Sequence, residues 1–426
     1  MNADSSMCGY FRVLSALGPF LLVVAALGGR AAPAASTASG HSVIYRSLGA
    51  PSTERQSESI ISEGIDRHVK VILISDTLDD PTTNEESAEV YPTLQRIGRR
   101  EGFTIKIVES SPSDWIRDDF LTLSNGTLLA PSQDPHVAEA LKDLKAYRDP
   151  PGHVYEADQG RVGRQHEVAV YEDHARENGL VIRHSRVYLE GGNVLVVPKA
   201  DGTKGVLIGM SSLLVSTFLL SREGAFAPGT SFRYKLQATK LVIAKELGVD
   251  PSQVVYLDQL EFHLDMFLTP GENGQVFIED PAYSDATIKA LIRGPGLSRL
   301  QRNALKEKLY TNTPGPFYDP SLSTLQAELK PTIDELRAAG YQVIGIPGEY
   351  KPNPVEDTDF MNGLVATGRN GERYEIVGQS PTTPLNGAFR KVMARYGITV
   401  FFVPDAQGLI YYGGSIHCVT NEQIEP

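Results

Sequence analysis

Tyr412-Gly413-Gly414-Ser415-Ile416-His417-Cys418-Val419-Thr420-Asn421 follows an apolar run with a Gly-Gly turn and then presents a cysteine. The other of the chain's two cysteines, Cys8, lies in a segment laid out like a removable export signal. In an exported protein, a thiol without an internal partner is a buried bystander, a link to another chain, or a nucleophile. Its place directly after a Gly-Gly turn favours the nucleophile.

Working outward, the export reading rests on the apolar run 13–29, preceded by Arg12 and followed by Ala31-Ala32-Pro33-Ala34-Ala35-Ser36. Gly and Pro interrupt that run, and it falls short of the roughly 20 residues a spanning helix needs. The expected organisation is a secretory signal over 1–36, a polar linker over 37–67 and one domain over 68–426. The mature protein would be secreted, with no membrane contact after signal removal. The formal net charge of -12 argues against a nucleic-acid partner and suits a cationic substrate.

Past the linker, short apolar strands alternate with amphipathic helices, which predicts an α/β fold. Strands are expected at Val187–Val197, Gln275–Ile278 and Ile398–Val403, among others. Helices are expected at Glu85–Arg100, Phe232–Leu247, Leu322–Ala339 and Asn386–Tyr396, the last closed by Gly397 in a left-handed cap. A domain of this length exceeds the usual size of a single core, which points to repeated units closed on themselves.

Three further stretches carry polar residues between apolar ones. Asp114-Trp115-Ile116-Arg117-Asp118-Asp119-Phe120 groups three carboxylates, a guanidinium and the chain's one tryptophan. Leu189-Glu190-Gly191-Gly192-Asn193-Val194-Leu195 sets a Gly-Gly in a strand-like run, a sign of a bulge, a tight turn or close backbone approach. Glu261-Phe262-His263-Leu264-Asp265-Met266-Phe267-Leu268, read as a strand, puts His263 and Asp265 on one face. No second His or Cys lies at ligand spacing, so a metal site is not expected.

A thiol, a histidine and two carboxylates fit peptide-bond cleavage poorly, because a carbonyl in acyl transfer needs donors around it, not anions. A guanidinium reverses that requirement. It is planar and cationic, and its paired N–H groups are accepted bidentately by carboxylates.

The ordered set Trp-x-Arg-Asp, Glu-Gly-Gly-Asn, His-x-Asp and Gly-Gly-x-x-His-Cys resembles the guanidino-group-modifying superfamily. Within it, His417-Cys418-Val419-Thr420-Asn421, His263-Leu264-Asp265-Met266-Phe267-Leu268 and Phe360-Met361-Asn362-Gly363-Leu364-Val365 look like segments of protein-arginine deiminases. The resemblance implies a five-bladed pseudo-symmetric α/β propeller, the pentein fold, as a single catalytic domain. It implies Cys418 as nucleophile, His263 as general acid and base, and Asp118 and Asp265 as guanidinium-binding carboxylates. Trp115, Arg117, Glu190 and Asn193 are implied around the substrate. Arg117 and Leu121 stand where vertebrate members of the family bind an activating calcium, and neither supplies an oxygen ligand. No cofactor is therefore expected, and the implied substrates are arginine-containing proteins or peptides, converted to citrulline with release of ammonia. The alternatives are a deiminase of agmatine or free arginine and, more remotely, an inactive arginine-binding module.

Overall fold

A computed structural model describes residues 60–78, 88–108, 114–137, 139–140, 167–260, 263–309, 322–350, 358–406, 409 and 414–424. The expected signal and most of the expected linker lie outside these residues. The end of that linker does not behave as one. Ile61 and Ile65 are fully buried, and the Ile61 amide donates to the Leu247 carbonyl at 2.9 Å. Two isoleucines in a polar stretch are enough to seal it onto the core.

The chain opens with β1 (Val69–Ser75), α1 (Val90–Glu101) and β2 (Thr104–Val108). A first unit follows: β3 (Leu121–Thr122), β4 (Leu128–Ala130), α2 (Glu167–Glu177) and β5 (Ile182–His184). The second comprises β6 (Val194–Pro198), β7 (Lys204–Gly209), α3 (Met210–Arg222), α4 (Phe232–Glu246) and β8 (Val254–Leu257). The third has β9 (Leu268–Pro270), β10 (Gln275–Glu279), α5 (Pro281–Arg293), α6 (Arg299–Glu307), α7 (Leu322–Ala338) and β11 (Gln342–Ile346). A ribbon of β12 (Glu349–Tyr350) and β13 (Thr358–Asp359) leads to the fourth: β14 (Leu364–Thr367), β15 (Arg373–Gly378), α8 (Thr383–Met393) and β16 (Ile398–Val403). The last strand, β17 (Asn421–Ile424), pairs with β1.

One pairing rule repeats. In each three-stranded sheet the middle strand runs antiparallel to one neighbour and, across a helical crossover, parallel to the other. The fifth sheet, β17-β1-β2, obeys the same rule with strands from both ends of the described chain. The structure is thus α/β with several small sheets, and the sheets do not join into a closed barrel.

Strand alternation explains how the sheets stack. Val194, Val196, Val206 and Ile208 of the second sheet pack on Leu121 and Leu129 of the first. The opposite face, Leu195, Val197 and Leu207, packs on Leu268 and Val276 of the third. Phe277 then meets Val377 and Val400 of the fourth, whose Leu364 and Ile376 meet Val69 and Ile72 of the fifth. Leu73 and Val108 of the fifth return to Leu128 and Ala130 of the first. Burial on both faces is why these strands read as unbroken apolar runs.

Glu375 on β15 breaks that pattern. It is fully buried opposite Val365, and among the described residues neither carboxyl oxygen has a hydrogen-bond partner. Burial pushes its pKa up to about 8. The folded state therefore holds a proton that the unfolded chain releases near pH 4.5. The contribution to stability is complete below that value and is lost as pH rises through about 8. Denaturant titrations across this window should show wild type losing about 4 kcal/mol more than Glu375→Gln. Equal losses would show that Glu375 is not a protonated acid at neutral pH.

Candidate active site

Each sheet's leading strand is entered through a short turn, and these turns carry the polar residues. The one-turn helix Ile116–Asp119 precedes β3, the 3-10 turn Gly191–Asn193 precedes β6, and the 3-10 turn Leu264–Met266 precedes β9. Asn362 precedes β14, and Cys418 lies in the turn before β17.

Cys418 is 2 % exposed, with Sγ 3.5 Å from Asp265 Oδ2. Asn362 builds its turn: Oδ1 accepts from the Ser415 and Cys418 amides at 2.8 and 3.3 Å, and Nδ2 donates to Sγ at 3.1 Å. A Cβ on Gly414 would lie 2.4 Å from Trp115 Cζ3 and 3.0 Å from Cys418 Cβ. Only glycine there lets the indole close beside the thiol. The Trp115 indole therefore lies beside the turn that carries the thiol.

His263 and Asp265 do face one spot, but a 3-10 turn brings them there, not the expected strand. The spot is Gly192, where a Cβ would lie 2.5 Å from His263 Nδ1 and 3.0 Å from Asp265 Oδ1. One residue earlier, a Cβ on Gly191 would lie 2.1 Å from the Arg117 carbonyl oxygen. The Gly-Gly pair is thus required by close approach of two other turns. His263 Nε2 lies 2.6 Å from Glu190 Oε2, and Nδ1 lies 3.6 Å from Asp118 Oδ1. Asp265 Oδ2 is 2.7 Å from His417 Nδ1, while its Oδ1, also buried, has no hydrogen-bond partner among the described residues. That oxygen is available to a ligand.

The charges follow from burial and neighbours. For His263, burial opposes the cation, but Asp118 and Glu190 outweigh it and raise the pKa to about 9. Burial pushes the Cys418 thiol well up, and Asp265 and Asp118 push it further, against the Asn362 hydrogen bond. Asp265 has its carboxylate disfavoured by burial, yet the His417 hydrogen bond and the cations around it leave its pKa lowered. These shifts favour an imidazolium at His263 and a neutral thiol at Cys418.

Two residues expected at the substrate are placed elsewhere. Arg117 is 2 % exposed, and its Nη2 pairs with Glu422 Oε2 at 2.5 Å, behind the thiol turn. Its amide donates to the Cys418 carbonyl at 3.1 Å. Asn193 donates to the hydroxyls of Ser211 and Ser212 at 2.9 and 3.0 Å, tying the Gly-Gly turn to α3. Glu190 serves His263 directly. Asn362 and His417 stand in the quoted motifs, yet sequence reading assigned neither a role. Their signal was position, a polar residue just ahead of a leading strand. Arg161 and Arg164 lie outside the described residues. Among those residues, no cluster of His, Cys, Asp or Glu suits a metal ion, and no helix is long and apolar enough to cross a membrane.

No protein-family model matches the chain, and no curated protein matches it. Several solved structures similar to it are described as deiminases. A protein described provisionally as a peptidyl-arginine deiminase is 14 % identical, with a TM-score of 0.48, over 87 % of this chain and all of that one. The C. jejuni agmatine deiminase is 12 % identical, with a TM-score of 0.46, over 86 % of this chain and 97 % of its own. The agmatine deiminase of Enterococcus faecalis is 16 % identical, with a TM-score of 0.48, over 88 % and 99 %.

Proposed function

We propose that this chain is a hydrolase of guanidino groups that converts a guanidinium to a urea and ammonia through a thiouronium on Cys418. The observation that carries this reading is a buried thiol flanked by two buried carboxylates, Asp118 and Asp265, with a histidine held cationic beside them. A neutral carbonyl gains nothing from that surround, whereas a guanidinium's positive charge is attracted to both carboxylates.

The chemistry follows from those charges. A bound guanidinium compensates Asp118 and Asp265, so the Cys418 thiol loses its proton more readily in the complex. The thiolate adds to the central carbon, and imidazolium His263 gives its proton to the departing nitrogen, which leaves as ammonia. Neutral His263 then takes a proton from water. The resulting hydroxide adds to the thiouronium, the C–S bond breaks, and the hydroxyl proton passes to ammonia as the urea forms. Turnover should fall as pH rises through about 9, where His263 ceases to be an acid. We read the five sheets, with their cyclic packing and a final strand returned to the first, as blades of a propeller around this site.

Cys418, His263 and Asp265 are each 2 % exposed and Asp118 is 6 % exposed, which favours a small guanidine such as agmatine or free arginine. Peptidyl arginine, with an exported protein acting on other chains, is the second reading. It requires the tip of one side chain to reach the same groups. Ammonia release from agmatine, free arginine and a blocked arginine peptide, with and without a chelator, separates the two. Turnover is expected to survive chelation. Silence on every guanidine would end the proposal.

A further inference from the structure

Both carboxyl oxygens of Glu190 are engaged. Oε2 faces His263 Nε2 at 2.6 Å, and Oε1 accepts from the Tyr188 hydroxyl. The tyrosine is 4 % exposed and is anchored through its backbone: its amide donates to Ser216 Oγ at 3.0 Å, and its carbonyl accepts from the same hydroxyl at 3.3 Å. Its ring packs with Val215 and Leu219 of α3. The tyrosine is therefore anchored to α3 through its backbone and its ring.

A proton between His263 and Glu190 has two places to sit. On nitrogen it gives an imidazolium and a carboxylate; on oxygen it gives a neutral imidazole and a carboxylic acid. In a buried pair these states lie close in energy, because separating charge in a low dielectric is costly. A phenol donating to the second oxygen stabilises the carboxylate and does little for the acid. Asp118, 3.6 Å from Nδ1, and the field of Asp265 also act on the imidazole. Both are anions and favour the same side.

We propose that Tyr188 is a positioning residue that keeps the shared proton on His263 by holding Glu190 as a carboxylate. Its consequence for turnover rests on the function proposed above, but the location of the proton does not. A hydrogen bond to a buried carboxylate shifts such an equilibrium by about 10- to 100-fold. Without it, part of the population holds the proton on Glu190, where it cannot serve a leaving group.

The test is Tyr188→Phe, which keeps the ring and its packing. The infrared difference spectrum, variant minus wild type at neutral pH, should gain the carbonyl band of a protonated carboxylic acid. Tyr188→Phe/Glu190→Gln should lack it. The kcat/KM plateau should fall up to about tenfold, and its alkaline limb should move up, because the pair holds its proton more tightly as a neutral acid. Glu190→Gln alone should move that limb down, since the imidazolium loses a neighbouring anion. A merely structural tyrosine would lower activity without a band or a moved limb, and that outcome overturns the proposal. If the variant does not fold, the 15N shifts of His263 in wild type decide, since a neutral ring at neutral pH overturns it equally. A band without turnover on any guanidine would sustain this inference while defeating the proposed function.

Discussion

Cys418→Ala is expected to lower guanidine hydrolysis by at least about 10⁴-fold, the scale seen when a covalent nucleophile is deleted. The variant should nonetheless fold and bind. Asn362 still accepts from the Ser415 amide through Oδ1, so the turn before β17 keeps its anchor. Asp118 and Asp265 still offer two carboxylates to a cation, and Asp265 keeps an oxygen without a protein partner among the described residues. With a guanidine at a hundred times its dissociation constant, stability should rise by about 2.7 kcal/mol in the alanine variant. Asp265→Asn makes the contrast. It should lose that ligand-induced stabilisation as well as turnover, because the amide cannot offset the cation's charge. A Cys418→Ala protein that still released ammonia would remove the thiol from the mechanism, and with it the reason for the surrounding carboxylates.

Much of this arrangement was legible before the fold was known, for a physical reason. Asp118, His263 and Asp265 each sit a few residues ahead of a buried strand opening on Leu121 or Leu268, and Cys418 sits ahead of the polar strand Asn421–Ile424. What the sequence hid were contacts made across the fold. Nothing local tells that Gly191 and Gly192 are required by Arg117 and His263, or that Asn362 reaches Cys418 across 56 positions. Local structure misled at α3, where Ser-Ser-Leu-Leu-Val-Ser-Thr-Phe-Leu-Leu gave no helical signal. The hydroxyls are satisfied within the helix, Thr217 donating to the Leu213 carbonyl at 2.8 Å and Ser221 to that of Thr217 at 2.7 Å, while buried Leu213, Val215, Leu219 and Leu220 hold it on the core. The stretch 261–268 misled in the opposite sense. Its period of two suggested a strand, but Leu264–Met266 is a turn, and Leu264 and Phe267 are buried in the core as its anchors. Arg117, beside Trp115 and Asp118, was implied as a substrate contact by the family resemblance. In a one-turn helix, adjacent residues point different ways, so proximity in sequence did not give proximity to the pocket.

Arg117 gives the second large effect. Its guanidinium is the counter-ion for Glu422 at 2.5 Å and a favourable neighbour for Glu63, whose carboxyl burial pushes up to about 8. For Arg117 itself, burial works against the cation, but Glu422 and then Glu63 outweigh it and leave its pKa raised. Removing one partner of a buried pair leaves the other uncompensated, at a cost of about 3–5 kcal/mol. Arg117→Met should therefore destabilise the protein by that order at neutral pH, read from denaturant midpoints. Adding Glu422→Gln should recover most of the loss, since the orphaned anion is gone. The sign of the pH dependence is fixed as well. In Arg117→Met, Glu422 is buried without its cation, so its folded pKa should lie above its unfolded value. The penalty should then shrink as pH falls and Glu422 takes up a proton, whereas a defect of packing alone would persist at every pH. Turnover per folded molecule should survive, because the guanidinium is turned to Glu422. A raised KM with unchanged stability would instead place Arg117 at the substrate, and β17 would need another explanation for burying Glu422 beside the thiol turn.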